Sequence, residues 1–432
     1  MKIPRIAAAG LCAVLVFSPA IANADVVLEW NAIMVAVVAE EPPPNMNRHA
    51  AITQLAVFEA VNAVTGDHKP YLGTINPSPG VSADAAAIAA AHGVLRHYFP
   101  DRAAFLDAAR ARSLGKIPDG PAKAGGITIG ETAASRAIAA RAIDGSEPPE
   151  SYLPSSSNPG EWQLTPDCPP TGGFFLHWRN VTPFVLRRAD QFRSDLPPAL
   201  TGSRYTRDYK EVKRVGGHDS TERPQHRANA VRLYAALSDA TLWNPIASQL
   251  AAARRRSLAD NARTFALLNM ALSDAGVAVM DTKYHYTVWR PETALVGGAT
   301  DGNDRTDPDA SFVPFIPAPC FPSYPSGHAS TSYAAREVLE RMFGRRGHSI
   351  IVSTPAVPEL VLKYTRLRDI TADIDDARVY GGIHFRFDQE EGAEQGRQVG
   401  AYVYRHSLRP ARGCTCDDEE NEDTSRPQVN RR

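Results

Sequence analysis

Three short segments stand out between positions 283 and 388: KYHYTVWRP at Lys283–Pro291, PSGH at Pro325–His328 and RVYGGIHFRFD at Arg378–Asp388. Seven residues at ~100° each return Lys283 and Arg290 to nearly the same helix face. Pro291 disfavours helical backbone at Arg290, so a helix is expected to end about there. Two cations on one stripe, beside Tyr284, Tyr286 and Trp289, suit an anion held against an aromatic wall. A solvated basic stripe at a helix C-terminus, which the helix dipole favours, is the plainer alternative.

The second segment reads as a helix start. Prolines stiffen the approach, Ser326 is a natural N-cap, and an apolar-periodic helix over Tyr333–Met342 follows. The free N–H groups of Gly327 and its neighbours would attract an anion. His328 falls in the first turn, where the dipole opposes a protonated imidazole unless an anion is bound. In the third segment Gly381-Gly382 permits a tight turn that lets Arg378 and His384 face one point. If a helix begins near His384, Asp388 lies one turn on. A carboxylate there fixes the imidazole tautomer and raises its basicity, as for a nucleophile or a metal ligand. A structural hydrogen bond is the alternative for that pair taken alone.

Outward from these segments the chain of 432 residues reads as helical. Residues 1–24 are expected to be a signal peptide: Lys2 and Arg5, an apolar run over Ile6–Phe17, then Ala22-Asn23-Ala24 as a cleavage signal. The product would be exported, to the periplasm or beyond. Residues 25–200 are expected to form an N-terminal helical bundle, with helices over Trp30–Glu41, Asn47–Val64, Ala83–Tyr98, a further one to Leu114, and Ile127–Ile143. A long loop rich in proline, glycine and serine follows, from Glu147 to about Pro198, of the kind that is usually functional. Helical periodicity resumes over Ala228–Leu237, Leu242–Ser257 and Asp260–Lys283, so residues 201–412 are expected to form a second bundle carrying the site. Residues 413–432 are polar and charged, the composition of a disordered tail. No convincing run of alternating strands appears, and the expected fold is all-α.

Composition narrows the function. A formal net charge of −1 gives no global basic field for nucleic acid or an anionic membrane. No stretch after the N-terminal run approaches the ~20 apolar residues of a membrane span. Besides Cys12 there are Cys168, Cys320, Cys414 and Cys416, whose pairing spacing alone leaves open. The acidic run Asp301–Asp309 does not have EF-hand spacing and reads as a solvated turn.

Taken in order, KxxxxxxRP, PSGH and RxxxxxHxxxD resemble the superfamily that unites type 2 phosphatidate phosphatases, bacterial acid phosphatases and vanadium-dependent haloperoxidases. One position departs from its pattern, Ala377, where serine is usual. The resemblance implies helical bundles and a tetrahedral oxyanion, its equatorial oxygens bound by Lys283, Arg290 and Arg378. Ser326 and the Gly327 amide would add hydrogen bonds, and His328 would act as acid–base. His384 would be the vanadium ligand of a haloperoxidase or the phosphoryl nucleophile of a phosphatase, oriented by Asp388. WNAIMVAVVAE from Trp30, AAITQLAVFEAVNAVTG from Ala50 and WRNVTPF from Trp178 resemble the bacterial haloperoxidase-like proteins, and Phe321 before PSGH resembles the fungal chloroperoxidase version. That implies vanadate as cofactor, hydrogen peroxide, halide and a small organic acceptor as partners, and Lys283 polarising the peroxide. The alternatives are a phosphatase acting on phosphomonoesters without vanadate, and a silent anion-binding protein. Halide, acceptor and oligomeric state are not specified. If residues 1–24 direct export, mass spectrometry of fractionated cells will find an N-terminus at Asp25 outside the cytoplasm; an intact Met1 on cytoplasmic protein would contradict this.

Overall fold

A computed structural model describes residues 25–411. The expected signal peptide and the expected tail, with Cys414 and Cys416, lie outside the described residues. The first five helices are α1 (Val26–Val38), α2 (Pro43–Thr65), α3 (Ala83–Tyr98), α4 (Ala103–Leu114) and α5 (Pro121–Ala140). Next come α6 (Ser203–Val215), α7 (Gln225–Ala235), α8 (Asp239–Arg254), α9 (Leu258–Tyr286) and α10 (Pro291–Val296). After α11 (Gly327–Phe343), strands β1 (Ile350–Val352) and β2 (Leu362–Tyr364) form an antiparallel pair with Ile350 opposite Tyr364. Helices α12 (Leu367–Tyr380) and α13 (Arg386–His406) complete the order. The fold is all-α apart from that short hairpin, as the periodicity implies. Among the described residues no helix is long and apolar enough to cross a membrane.

The structure moves several boundaries. The prolines after α1 do not merely end a helix; Pro43 occupies the first position of α2, where a missing N–H costs nothing. Helix α5 begins at Pro121, six residues before the expected start. Helix α6 escaped notice because it is polar overall, burying only a stripe that includes Tyr205, Tyr209, Val212 and Val215.

At the centre lies α9, buried without a break from Asn261 to Tyr284, as a helix surrounded on all sides must be. It packs along α2 on one side and α11 on another, so the main apolar cluster draws on residues from both sides of position 200. Helix α13 lies against α11 at backbone distance. A Cβ added at Gly392, Gly396 or Gly400 would stand 2.6, 2.1 and 2.5 Å from the carbonyl oxygens of Ser326, Ser330 and Ala334. The ends of α9, α11 and α13 thereby meet in one place.

The long connection after α5 is tied to this meeting point. Trp162 N donates to Thr287 O and Trp289 N to Gly160 O, while Phe174 N donates to Cys320 O. A disulfide joins Cys168 to Cys320 across 152 residues. Further along, the buried Asp274 of α9 accepts three successive amides, Phe184 N at 2.6 Å, Val185 N at 2.8 Å and Leu186 N at 2.9 Å. In the acidic run after Asp301, Asp304 and Asp307 are exposed as in a solvated turn, but its first residue is not. Asp301 is buried and accepts Asn303 N and Thr306 Oγ1, so the turn satisfies itself internally. Replacing Asp274 by alanine would strand three N–H groups, two of them buried and one partly so, at about 1–3 kcal/mol for each buried one. Thermal unfolding of Asp274→Ala is expected to show a loss of about 3 kcal/mol or more, with protease nicking first appearing between residues 147 and 198.

Candidate active site

Lys283 and Arg290 do not share a helix face. Helix α9 stops at Tyr286, and Thr287 adopts left-handed backbone at φ +49° while donating its N–H to Lys283 O. The chain then reverses, and Arg290 sits in extended backbone as the N-cap of α10. The two cations converge across this turn rather than along a stripe. Both are completely buried. Lys283 Nζ donates to the carbonyls of Pro322, Ser323 and Pro325 at 2.8, 2.7 and 2.7 Å. All three of its hydrogens are thus engaged, which requires the ammonium form, although burial and then Arg290 push its pKa well below the usual lysine value. Direct contact between Lys283 and an anion would require release of one carbonyl. Arg290 donates Nε to Phe321 O at 2.9 Å and Nη1 to Ile383 O at 2.9 Å. The Phe321 ring centre lies 5.2 Å from Lys283 Nζ and 5.1 Å from Arg290 Cζ, within cation–π range.

The second segment folds as its residues imply. Ser326 caps α11, its Oγ accepting Ala329 N at 3.3 Å, and Gly327 and His328 fill the first two helical positions. Gly327, His328 and Phe321 are half-buried, and the cations behind them are closed off, so access runs past these three.

In the third segment α12 ends at Tyr380, and Gly382 turns the chain at φ +78°. A Cβ there would meet Gly216 O at 2.3 Å, so only glycine admits this approach. His384 lies in the link before α13, which starts at Arg386, two residues later than a helix beginning at the histidine. Asp388 is then the third helical residue and reaches back, with Oδ2 accepting His384 Nδ1 at 2.8 Å and Phe385 N at 3.1 Å. On the other side of the ring, Arg290 Nη1 stands 3.0 Å from His384 Nε2. Ala377 faces the main apolar cluster, so its departure from the serine pattern is an apolar contact in this chain.

The site holds more positive than negative charge. Asp388 is raised to about 6 by burial, against Ser323, Lys283, the Phe385 amide and Arg290, which all favour its carboxylate. Arg290 and Arg378 are each lowered to about 10 by burial. His384 is lowered well below the usual histidine range by burial, then by Arg290, Lys283, Arg378 and His328. His328 is lowered to about 3 by burial and then Arg378, with the Leu237 backbone pulling the other way. Within the site, three buried guanidinium nitrogens have no partner: Arg290 Nη2, Arg378 Nε and Arg378 Nη2. Unpaired buried donors on cations cost several kcal/mol unless something accepts from them. Such donors beside a histidine lone pair and a helix N-terminus fit a tetrahedral oxyanion, vanadate or phosphate alike.

Two contributors carried no sequence signal. Asp239 is buried and accepts Asn47 Nδ2 at 2.9 Å and Thr331 Oγ1 at 2.7 Å, and its charge opposes the lowering of Arg378. Ser323 lies beside Asp388 with Oγ 2.5 Å from Oδ2. Among the described residues no group of three or more histidine, cysteine, aspartate or glutamate side chains is placed to hold a metal ion by itself. An oxyanion held by cations and one histidine is a different kind of site.

Comparison with known proteins places this geometry. Residues 263–413 match the family model described as the VCPO second helical-bundle domain. Vanadium chloroperoxidase of Curvularia inaequalis is 29% identical over 271 residues, which is 46% of this chain and 44% of that protein. The match thus spans less than half the length of that relative. A crystal structure described as the first bacterial vanadium-dependent iodoperoxidase superposes with a TM-score of 0.76 at 24% identity, covering 90% of this chain and 98% of the other. Apo-type and holo-type bacterial vanadium-dependent chloroperoxidases superpose at 0.67 and 0.65, both at 17% identity, covering 84% and 90% of this chain and 94% of each of theirs. The fold is that of the vanadium haloperoxidases. Residues 263–413, the span that matches the VCPO second helical-bundle domain, carry all three segments.

An anion in this cradle would offset Arg378, Lys283 and Arg290 and so raise the His328 pKa from about 3 toward the ordinary histidine range. Proton NMR of the anion-free protein is expected to show His328 neutral throughout pH 5–8. Addition of inorganic phosphate or orthovanadate should bring its titration into that window.

Proposed function

We propose that this chain is an exported vanadium-dependent haloperoxidase that uses hydrogen peroxide to oxidise halide, taking up a proton and releasing hypohalous acid and water. The unpaired buried N–H groups of Arg290 and Arg378, beside the Nε2 lone pair of His384, carry this reading. Those guanidinium groups would hold vanadate oxygens, with Ser326 Oγ and the Gly327 amide adding hydrogen bonds at the mouth. His384 would coordinate vanadium through Nε2 while Asp388 keeps the ring hydrogen on Nδ1. When bound, vanadate supplies Lewis acidity without changing oxidation state. His328, neutral at the entrance, accepts and returns a proton. Lys283 would add positive charge to polarise a bound peroxide, and its carbonyl trio holds the approach to PSGH in place. Phe321 screens both cations from water and thereby strengthens their fields.

A phosphatase would use the same cradle, with His384 as the phosphoryl nucleophile. The extent of likeness favours the haloperoxidase, because the iodoperoxidase fold runs through 90% of the chain, including the bundle before position 200. A silent anion-binding protein would have no use for the acid–base pair His328 and His384. After loading with orthovanadate, the protein is expected to halogenate an electron-rich organic acceptor with peroxide and bromide or iodide, assayed beside hydrolysis of a phosphomonoester. His384→Ala should reduce both reactions to background, and Asp388→Asn should weaken orthovanadate affinity by about 10–100-fold. A folded His384→Ala that still brominates in a vanadate-dependent manner would overturn the assignment.

A further inference from the structure

Ser323 is absent from the three-segment pattern, yet it joins the first segment to the third. Its amide donates to Val288 O at 2.8 Å, and its carbonyl accepts Lys283 Nζ at 2.7 Å. Its Oγ stands 2.5 Å from Asp388 Oδ2 and 3.2 Å from His384 Nδ1. The side chain is fully buried, so no water competes for these contacts. Its backbone is held on both sides, by the disulfide at Cys320 and by the Lys283 bonds to Pro322 and Pro325.

Donor and acceptor roles follow from the neighbours. A guanidinium can only donate, so Arg290 Nη1 at 3.0 Å requires an unprotonated Nε2 on His384. A neutral ring then carries its hydrogen on Nδ1, aimed at Asp388 Oδ2. The Ser323 hydroxyl therefore finds no lone pair on Nδ1 and donates to Oδ2, leaving its own oxygen facing the Nδ1 hydrogen. Oδ2 receives three hydrogens, from His384, Ser323 and the Phe385 amide. Two of those donors belong to the same link as His384. Only Ser323 ties the carboxylate to a different segment.

We propose that Ser323 is a positioning residue: its hydroxyl, presented from a pinned backbone, locks Asp388 Oδ2 against His384 Nδ1–H and so keeps the Nε2 lone pair directed into the anion cradle. This rests on the oxyanion reading above for its purpose, but its effect on the ring is measurable without any ligand. The test uses full-length protein with 15N-labelled histidine, the His384 signals being assigned by their absence in His384→Ala. Wild type should show the Nδ1–H tautomer alone. Ser323→Ala should populate the Nε2–H tautomer with little change in melting temperature, and isothermal titration with orthovanadate should show affinity reduced about 10-fold or more. Ser323→Cys, close in size but a weak donor, should shift the ring in the same direction and serves if the alanine variant does not fold. Unchanged ring shifts in either variant, or a wild-type ring that is not the Nδ1–H tautomer, would overturn the proposal. Should wild type bind no orthovanadate, the haloperoxidase reading falls, and the ring tautomer alone decides the role of Ser323.

Discussion

A buried ammonium meeting three carbonyls is the interaction on which the rest of this site depends. Lys283 lies in the last turn of α9, the longest helix among the described residues, and is out of contact with water. An ion so placed is tolerable only if each of its hydrogens is met. The carbonyls of Pro322, Ser323 and Pro325 meet them. Two of these residues are prolines with no N–H to enter a ladder, so the segment has acceptors to spare and cannot be drawn into regular structure. The same three bonds fix where α11 starts, and with it the positions of Ser326, Gly327 and His328. Packing of the central helix and geometry of the opening are one problem with one solution.

Charge then shapes what the pocket can receive. Lys283 and Arg290 share the carboxylate of Asp388, while Arg378 feels the charge of Asp239. The helix dipole at the start of α11 adds to the excess. Burial first, and then this positive charge, keep both histidines neutral. A cradle of this kind is selective for negative charge before any detail of shape is considered, and shape alone does not separate vanadate from phosphate.

Much of this was legible in the residues, for a physical reason. Charged side chains at fixed offsets from prolines and glycines define local chemistry that little else explains, so the eight candidate residues could be named without a fold. Their routes into the pocket were less visible. Nothing marks Thr287 as left-handed, since threonine seldom is, and so Lys283 and Arg290 read as one helical stripe. The Cys168–Cys320 link spans 152 residues, and no spacing rule reaches that far. Ser323 and Asp239 act through hydrogen bonds to residues distant in sequence or through charge at a distance, which have no periodic signature. Helix α6 hid behind its polar surface, and the hairpin was too short to alternate.

Helices α11 and α13 touch along Gly392, Gly396 and Gly400 with no side chain between them. One helix carries His328 near its start and the other begins two residues after His384. Two rods in backbone contact cannot slide or splay without breaking that seam, so the separation of the two histidines is a dimension of the scaffold. Adaptation of this pocket to other substrates is thereby steered away from the helices and toward the loop that bears Phe321, where a change of side chain alters the entrance and leaves the span between the histidines as it was.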